Sequence, residues 1–409
     1  MPGRRRAIVS WFLRILLVSP RHCWPAVNGG KLRTYSLARA LGGAAELTYV
    51  CFAERGAAPL STAELPFCRR VISVPLGRPY TPAKIARGVF GSYPLPIVNY
   101  TSAAMFAALE TAVRGARFDL VHLDGIHVFA YDAFLRNATG APIVYDWHNI
   151  ESEKMRRYAA QVKAPASWYA ALTARRLERA ERRTLQEAHG HLVCSGRERD
   201  ELARCAPRAR IAVIENGVDT AWFNGAAETS GPRRRIVFVG QMSYHANADA
   251  AVEFVREAWP AIAARHPDWT LSLVGSSPAP AVLALRAANI EVTGTVPDVR
   301  PYYRDALAAI VPLRVGGGTR LKILEAMAAG VPVVSTALGA EGLAVSPGSN
   351  ILMAEDAGQW LAALEKLAGD AALRSRISAA GRQLAGERYD WSIIGKELVA
   401  TYRRWLNGV

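Results

Sequence analysis

Residues 316–336 read Gly-Gly-Gly-Thr-Arg-Leu-Lys-Ile-Leu-Glu-Ala-Met-Ala-Ala-Gly-Val-Pro-Val-Val-Ser-Thr. No other stretch of the chain narrows the fold so far. Three glycines open a loop, and Leu321, Leu324 and Met327 then recur at helical spacing. Gly330 and Pro332 stop that helix, and Val331, Val333 and Val334 mark a buried parallel strand. Glycines ahead of a helix bare its backbone N–H groups, which with the helix dipole favour an anion. Arg320 and Lys322 place two cations in the first turn, where they oppose the dipole. A phosphate site tolerates that mismatch. Glu325 falls about one turn in, within reach of sugar hydroxyls. The plainer reading is a βα loop with a solvated basic turn.

The same strand–loop–helix grammar runs through the chain. Residues 14–19 are a strand candidate followed by a long loop ending in Asn28-Gly29-Gly30 and a helix over 31–41. That loop matches neither GxGxxG nor Walker A, so neither a dinucleotide nor ATP is indicated. Strands are expected at 46–52, 70–75, 119–124, 141–149, 191–195 and 211–214. Residues 80–117 are rich in Pro, Tyr and Phe and then helical; they could wall an acceptor cleft. Residues 151–190 read as one long basic helical stretch, its Glu/Arg spacing allowing i,i+3 and i,i+4 pairs. Trp168 and Tyr169 beside it leave a membrane-surface role open. Residues 224–234 lack periodicity and are the best linker. A second alternation follows, with strands at 235–240, 269–275, 290–293 and 308–311, and helices at 356–368, 371–387 and 391–407. The chain is therefore α/β, with two strand–helix domains of about equal size.

Length agrees, since 409 residues suit about two to three domains. The net charge is +15 and uneven: residues 1–230 hold 31 Lys+Arg against 19 Asp+Glu, residues 231–409 only 19 against 16. A basic N-terminal half suits nucleic acid, an anionic membrane surface or a phosphorylated acceptor, and composition does not separate these. Five scattered cysteines form no CxxC, so neither a disulfide framework nor a zinc site is readable, and a reducing cytoplasm is the simplest setting. Arg4-Arg5-Arg6 and the apolar run after it loosely resemble a signal peptide, but Arg14 interrupts that run and no small-residue cleavage site follows. No stretch reaches the roughly 18 uncharged apolar residues of a membrane span.

In open parallel sheets, ligands bind outside the strand C-termini. Asp124 and His148 end two expected strands and are placed for chemistry. Each has a second reading: Asp124 as a loop or cap aspartate, His148 as a cap for the helix starting near Glu151. His122, mid-strand, reads as a satisfied core histidine.

Taken together these motifs resemble the GT-B glycosyltransferases of family 4. The likeness rests on Asn28-Gly29-Gly30, Glu215-Asn216-Gly217-Val218-Asp219, Phe238-Val239-Gly240, Thr293-Gly294-Thr295-Val296 and the run from Leu324 to Val334, in the family's order. Residues 14–20, 146–151 and 318–325 are also similar to a bacterial subgroup tied to exopolysaccharide synthesis.

The resemblance implies two facing Rossmann-like domains with a cleft between them. Residues 1–223 would bind the acceptor, residues 224–389 the nucleotide-sugar, and helix 390–409 would pack back on the first domain. It implies transfer of a sugar from a UDP- or GDP-sugar with retention of configuration, with no metal or other cofactor. The acceptor would be a glycan or a polyprenyl-linked sugar. The setting would be cytoplasmic, with peripheral contact to the inner face of the membrane, and no nucleic acid is expected.

Carried over residue by residue, the likeness implies nucleotide-sugar binding by Gly29, Gly30, Asn216, Gly240, Val296, Gly317, Gly318, Thr319, Arg320, Lys322, Leu324 and Glu325. Glu325 matches the second glutamate of the family's E-x7-E motif and would hold the ribose diol; a carboxylate accepts from both hydroxyls. The first glutamate would fall at Gly317 and is missing. Gln241-Met242-Ser243-Tyr244-His245 replaces the family's diphosphate-clamping Arg and Lys, which leaves Arg320 and Lys322 to supply the charge. Val296 would meet the base through its backbone. Asp124, His148, Arg320 and Lys322 are the catalytic candidates. Two other readings stand beside this one: a GT-B nucleotide-sugar epimerase, and a catalytically degenerate GT-B binding protein.

Overall fold

The computed structural model describes residues 13–54, 56–225, 233–315 and 320–408. Gly317, Gly318, Thr319 and most of the expected linker lie outside them. The chain divides into two compact units, residues 1–215 with 395–409, and residues 216–394. The sequence placed the divide at 223/224. The segment after Glu215 sides with the second unit because the Val218 amide donates to the Tyr389 carbonyl at 2.8 Å and Thr220 bonds Asp390.

The first unit is built on seven parallel strands: β1 (Leu13–Ser19), β2 (Ala45–Ala53), β3 (Arg70–Pro75), β4 (Leu120–Asp124), β5 (Ile143–Trp147), β6 (Gly190–Val193) and β7 (Ile211–Val213). They lie in the order β3-β2-β1-β4-β5-β6-β7. Apart from the edge strands β3 and β7, their residues are almost wholly buried, as helices on both faces require. The strand order reverses between β1 and β4, and at such a switch point the C-terminal strand ends open a crevice. Ser19 and Asp124 sit there. Register pairs Asp124 with Asp146 on β5, which brings a second carboxylate to the same edge.

Two sequence expectations change here. The helix after β1 spans Gly29–Ala44, so Gly29 and Gly30 form its first turn rather than a loop. Asn28 caps it, its side-chain oxygen accepting from the Lys31 amide at 3.0 Å. The basic stretch 151–190 is a hairpin of two helices, Glu151–Gln161 and Ala166–Glu187, interrupted at Pro165. Its charges do pair at i,i+4, for example Arg182 with Glu178 at 2.8 Å, and Arg156 reaches Glu178 between the two helices.

The last helix, Trp391–Leu406, runs from the second unit's residues into the first's. Tyr402 sets its hydroxyl 2.6 Å from His122 Nδ1, so His122 is the satisfied core histidine that its mid-strand place suggests. Gly190 has no side chain because a Cβ there would lie 2.4 Å from the Trp405 ring.

The second unit holds β8 (Arg235–Val239), β9 (Thr270–Val274), β10 (Ile290–Gly294), β11 (Ala306–Val311), β12 (Val333–Ser335) and β13 (Leu352–Met353), all parallel and ordered β10-β9-β8-β11-β12-β13. Its switch point falls between β8 and β11, next to Gly240. Helix Leu321–Ala329 ends at Gly330 in the left-handed conformation (φ 78°), the stop that the sequence predicts. Gly275 is forced by close approach, since a Cβ there would lie 1.7 Å from the Gly240 carbonyl oxygen.

Candidate functional site

At the switch point of the first unit, Asp124 gathers three partners. Ser19 and Thr34 donate hydroxyl hydrogen bonds to Oδ2 at 2.5 and 3.0 Å, and His148 Nε2 lies 2.5 Å from Oδ1. His148 Nε2 also stands 3.5 Å from Asp146 Oδ2. Asp146 is clamped by Arg33, whose Nε and Nη2 donate to its two oxygens at 2.9 and 2.6 Å. Arg33 also donates to the carbonyls of Ile214 and Glu215, the last residues before the chain enters the second unit.

Two carboxylates, a guanidinium and an imidazole thus meet in a buried place. Burial opposes protonation of His148, but Asp124 and Asp146 outweigh it and lift the imidazole to about 9. Burial would raise the Asp124 carboxyl, but His148 holds it at about 2. Burial likewise acts against the Asp146 carboxylate, and Arg33 and His148 hold it far below the usual range. At neutral pH two negative and two positive charges therefore balance. His148 is an imidazolium whose Nε2 is spent on the carboxylates. Its Nδ1 has no hydrogen bond among the described residues and lies 3.8 Å from where a Cβ of Gly30 would be. His148 does not cap the helix at Glu151, whose N-terminus has no side-chain cap.

Asp124, Asp146 and His148 lie close enough to offer three metal ligands. The fit is poor. Their donor atoms are already engaged by Arg33, Ser19, Thr34 and one another, and a divalent ion would have to displace a buried guanidinium.

The second unit builds a separate group around Lys322, on helix Leu321–Ala329. Its Nζ lies 2.5 Å from Asn247 Oδ1 and 4.7 Å from the centroid of the Phe238 ring. Asn247 Nδ2 donates to the Gln241 carbonyl at 2.9 Å, which turns the amide oxygen toward Lys322. A Cβ at Gly240 would fall 2.8 Å from Asn247 Nδ2 and 3.0 Å from Lys322 Nζ, so glycine is needed there. Burial, then Arg320, pull the Lys322 ammonium down to about 7 against the opposing pull of Glu325. Arg320 is buried at the helix N-cap, one Nη donating to the Leu338 carbonyl at 3.2 Å. Glu325 is half-buried and makes no hydrogen bond among the described residues; burial raises its carboxyl, with Lys322 opposing.

The remaining candidates are placed as follows. Leu324 is spent on the core, so only its backbone is left to meet a ligand. Val296 is half-buried and packs on the same core. Asn216 opens the second unit. Sequence reasoning passed over Arg33, Asp146 and Asn247. The strand-end rule that found Asp124 applies equally to Asp146, whereas Arg33 and Asn247 sit inside helices with no local signal.

Two Rossmann-like units in one chain, each on its own parallel sheet, make the GT-B architecture. Residues 27–222 match the family described as Glycosyltransferase Family 4, and residues 233–370 the one described as Glycosyl transferases group 1. The chain belongs to these group 1, family 4 glycosyltransferases by sequence. It is 26% identical over 259 residues to a glycogen synthase of Mycobacterium tuberculosis, across 60% of this chain and 61% of that protein. It is 30% identical over 207 residues to a phosphatidyl-myo-inositol mannosyltransferase of the same species, across 46% and 53%. The matches thus span about three fifths of these relatives' length or less. Anabaena HepE, solved with UDP and glucose, shares the fold at a TM-score of 0.65 and 16% identity, over 95% of this chain and 99% of that one.

Proposed function

We propose that the chain is a retaining, metal-independent glycosyltransferase. It moves a sugar from a UDP- or GDP-sugar to a glycan or polyprenyl-linked acceptor in exopolysaccharide or cell-surface polysaccharide synthesis. The work takes place at the inner face of the cytoplasmic membrane, which the basic first unit contacts. The observation that carries this reading is Glu325, a half-buried carboxylate with no hydrogen bond among the described residues, one turn along from Lys322. A ribose diol satisfies the carboxylate, and a pyrophosphate satisfies the ammonium. The glycogen synthase and phosphatidyl-myo-inositol mannosyltransferase relatives, and a fold neighbour solved with UDP and glucose, support the substrate class.

In this reading the leaving nucleoside diphosphate gathers negative charge as the glycosidic bond breaks. Lys322 and Arg320 stabilise that charge together with the N-terminus of their helix. His148, an imidazolium, donates through Nδ1 to a sugar oxygen, with Asp124 fixing its ring. Arg33 and Asp146 hold the pair and touch no substrate.

The test is a nucleotide-sugar panel read by thermal stabilisation. The best donor is then turned over with a polyprenyl-diphosphate glycan, and the new anomeric centre is assigned by NMR. An inverted centre removes the retaining reading, and stabilisation by no nucleotide or nucleotide-sugar removes the donor site.

A further inference from the structure

We propose that helices Pro82–Phe90 and Ala166–Glu187 of the first unit form a docking face for an anionic lipid bilayer. The proposal gives the membrane contact of the proposed function a definite surface, and it rests on that reading only for its purpose.

Large apolar side chains are exposed there to a degree that folding does not explain. Phe90 is 87% exposed, Trp168 74% and Tyr80 67%, with Ile85 and Leu172 also exposed. The two helices are fastened together. Arg176 donates to the carbonyls of Gly88, Val89 and Gly91, so the end of the first helix, with Phe90, is held against the second. Trp168, Leu172 and Arg176 recur at four-residue spacing and share one side of their helix, Trp168 about 12 Å from Arg176 along the axis.

Charge singles out the partner. Residues 77–101 contain Arg78, Lys84 and Arg87 and no Asp or Glu; residues 161–177 contain Lys163, Arg175 and Arg176 and again no acid. Lys84 and Arg176 are bonded to backbone carbonyls, while Arg78, Arg87, Lys163 and Arg175 are exposed. Elsewhere on the hairpin Arg156, Arg157, Arg182 and Arg183 are paired with glutamates. Cations without acids, interleaved with exposed aromatics, match an interface of anionic headgroups over acyl chains. Protein interfaces are depleted in lysine, whereas this face carries Lys84 and Lys163.

The experiment is co-sedimentation of the full chain with phosphatidylcholine vesicles carrying either no or 30% phosphatidylglycerol. Binding is expected to the anionic vesicles only and to fall as salt rises from 50 to 500 mM. Arg87→Glu with Lys163→Glu should weaken it tenfold or more, and Phe90→Ser with Trp168→Ser should do likewise. Leu283→Ser, an exposed leucine of the second unit, should change nothing. Circular dichroism confirms that each variant is folded. No binding to anionic vesicles, equal binding to neutral ones, or undiminished binding by both double variants overturns the proposal. So does a change in oligomeric state, rather than lipid affinity, in the aromatic variant. Because no donor is present, failure here leaves the nucleotide-sugar reading to its own test, and the reverse.

Discussion

Arg33 meets Asp146 edge to edge, two nitrogens on two oxygens, with both side chains about 1% exposed. Removing the guanidinium leaves a buried carboxylate with only the His148 imidazolium, 3.5 Å away, to compensate it, which costs about 3–5 kcal/mol. Arg33→Met should destabilise the protein by that order in urea unfolding. Arg33→Lys should not restore it, because an ammonium cannot reproduce the planar fork. A loss below about 1 kcal/mol for Arg33→Met would show that the pair is not the brace described.

The amide of Asn247 is oriented by Gln241, so its oxygen has one task, which is to hold Lys322. Asn247→Asp should raise the Lys322 pKa and set a carboxylate in competition with phosphate. Asn247→Leu should leave the ammonium unheld. Either should weaken UDP or GDP binding about tenfold, the range of one charge-assisted hydrogen bond. The pH at which affinity changes should move upward in the aspartate variant alone. Unaltered affinity and pH dependence in both would make Asn247 a packing residue.

Three titrations bound the working pH. Lys322 is held near 7, so nucleotide affinity should decline as pH rises through 7 and the ammonium loses its proton. His148 is raised to about 9, so its contribution to stability is complete below about 6.5 and is lost as pH rises through 9. Asp124 is lowered to about 2, so its contribution is present above about 3.9 and is lost as pH falls through 2. Melting temperature should therefore hold between pH 4 and 6.5 and drop at both ends. His148→Gln should remove the alkaline drop; its persistence would mean that another group carries it.

Glu325→Ala should weaken nucleotide binding by roughly 1.5–3 kcal/mol in calorimetry, and a deoxyribose nucleotide should bind the variant and the parent alike. Arg320→Ala with Lys322→Ala should lower kcat more than donor affinity, since charge peaks as the diphosphate departs. Equal losses in the two constants would assign these cations to binding alone.

Much of the fold was legible because buried parallel strands and amphipathic helices write different periods. The run over 331–335 and the stop at Gly330 appear where their chemistry demands. β13 escaped because two residues carry no period. The site was legible where a polar residue ended an apolar strand, as at Asp124 and His148. Arg33 and Asn247 were not, because their partners lie 113 and 75 residues away in sequence, and only tertiary folding brings them together.

The return of the last helix to the first unit has a consequence during synthesis. His122 is made early, yet Tyr402, which completes its surroundings, follows 280 residues later, and Trp405 stands in the same relation to Gly190. The nascent N-terminal portion must wait, with that face of its sheet unfinished, until the helix Trp391–Leu406 has left the ribosome. Ribosome-bound chains stopped at residue 215 should consequently be digested by protease faster than the same segment within the released protein.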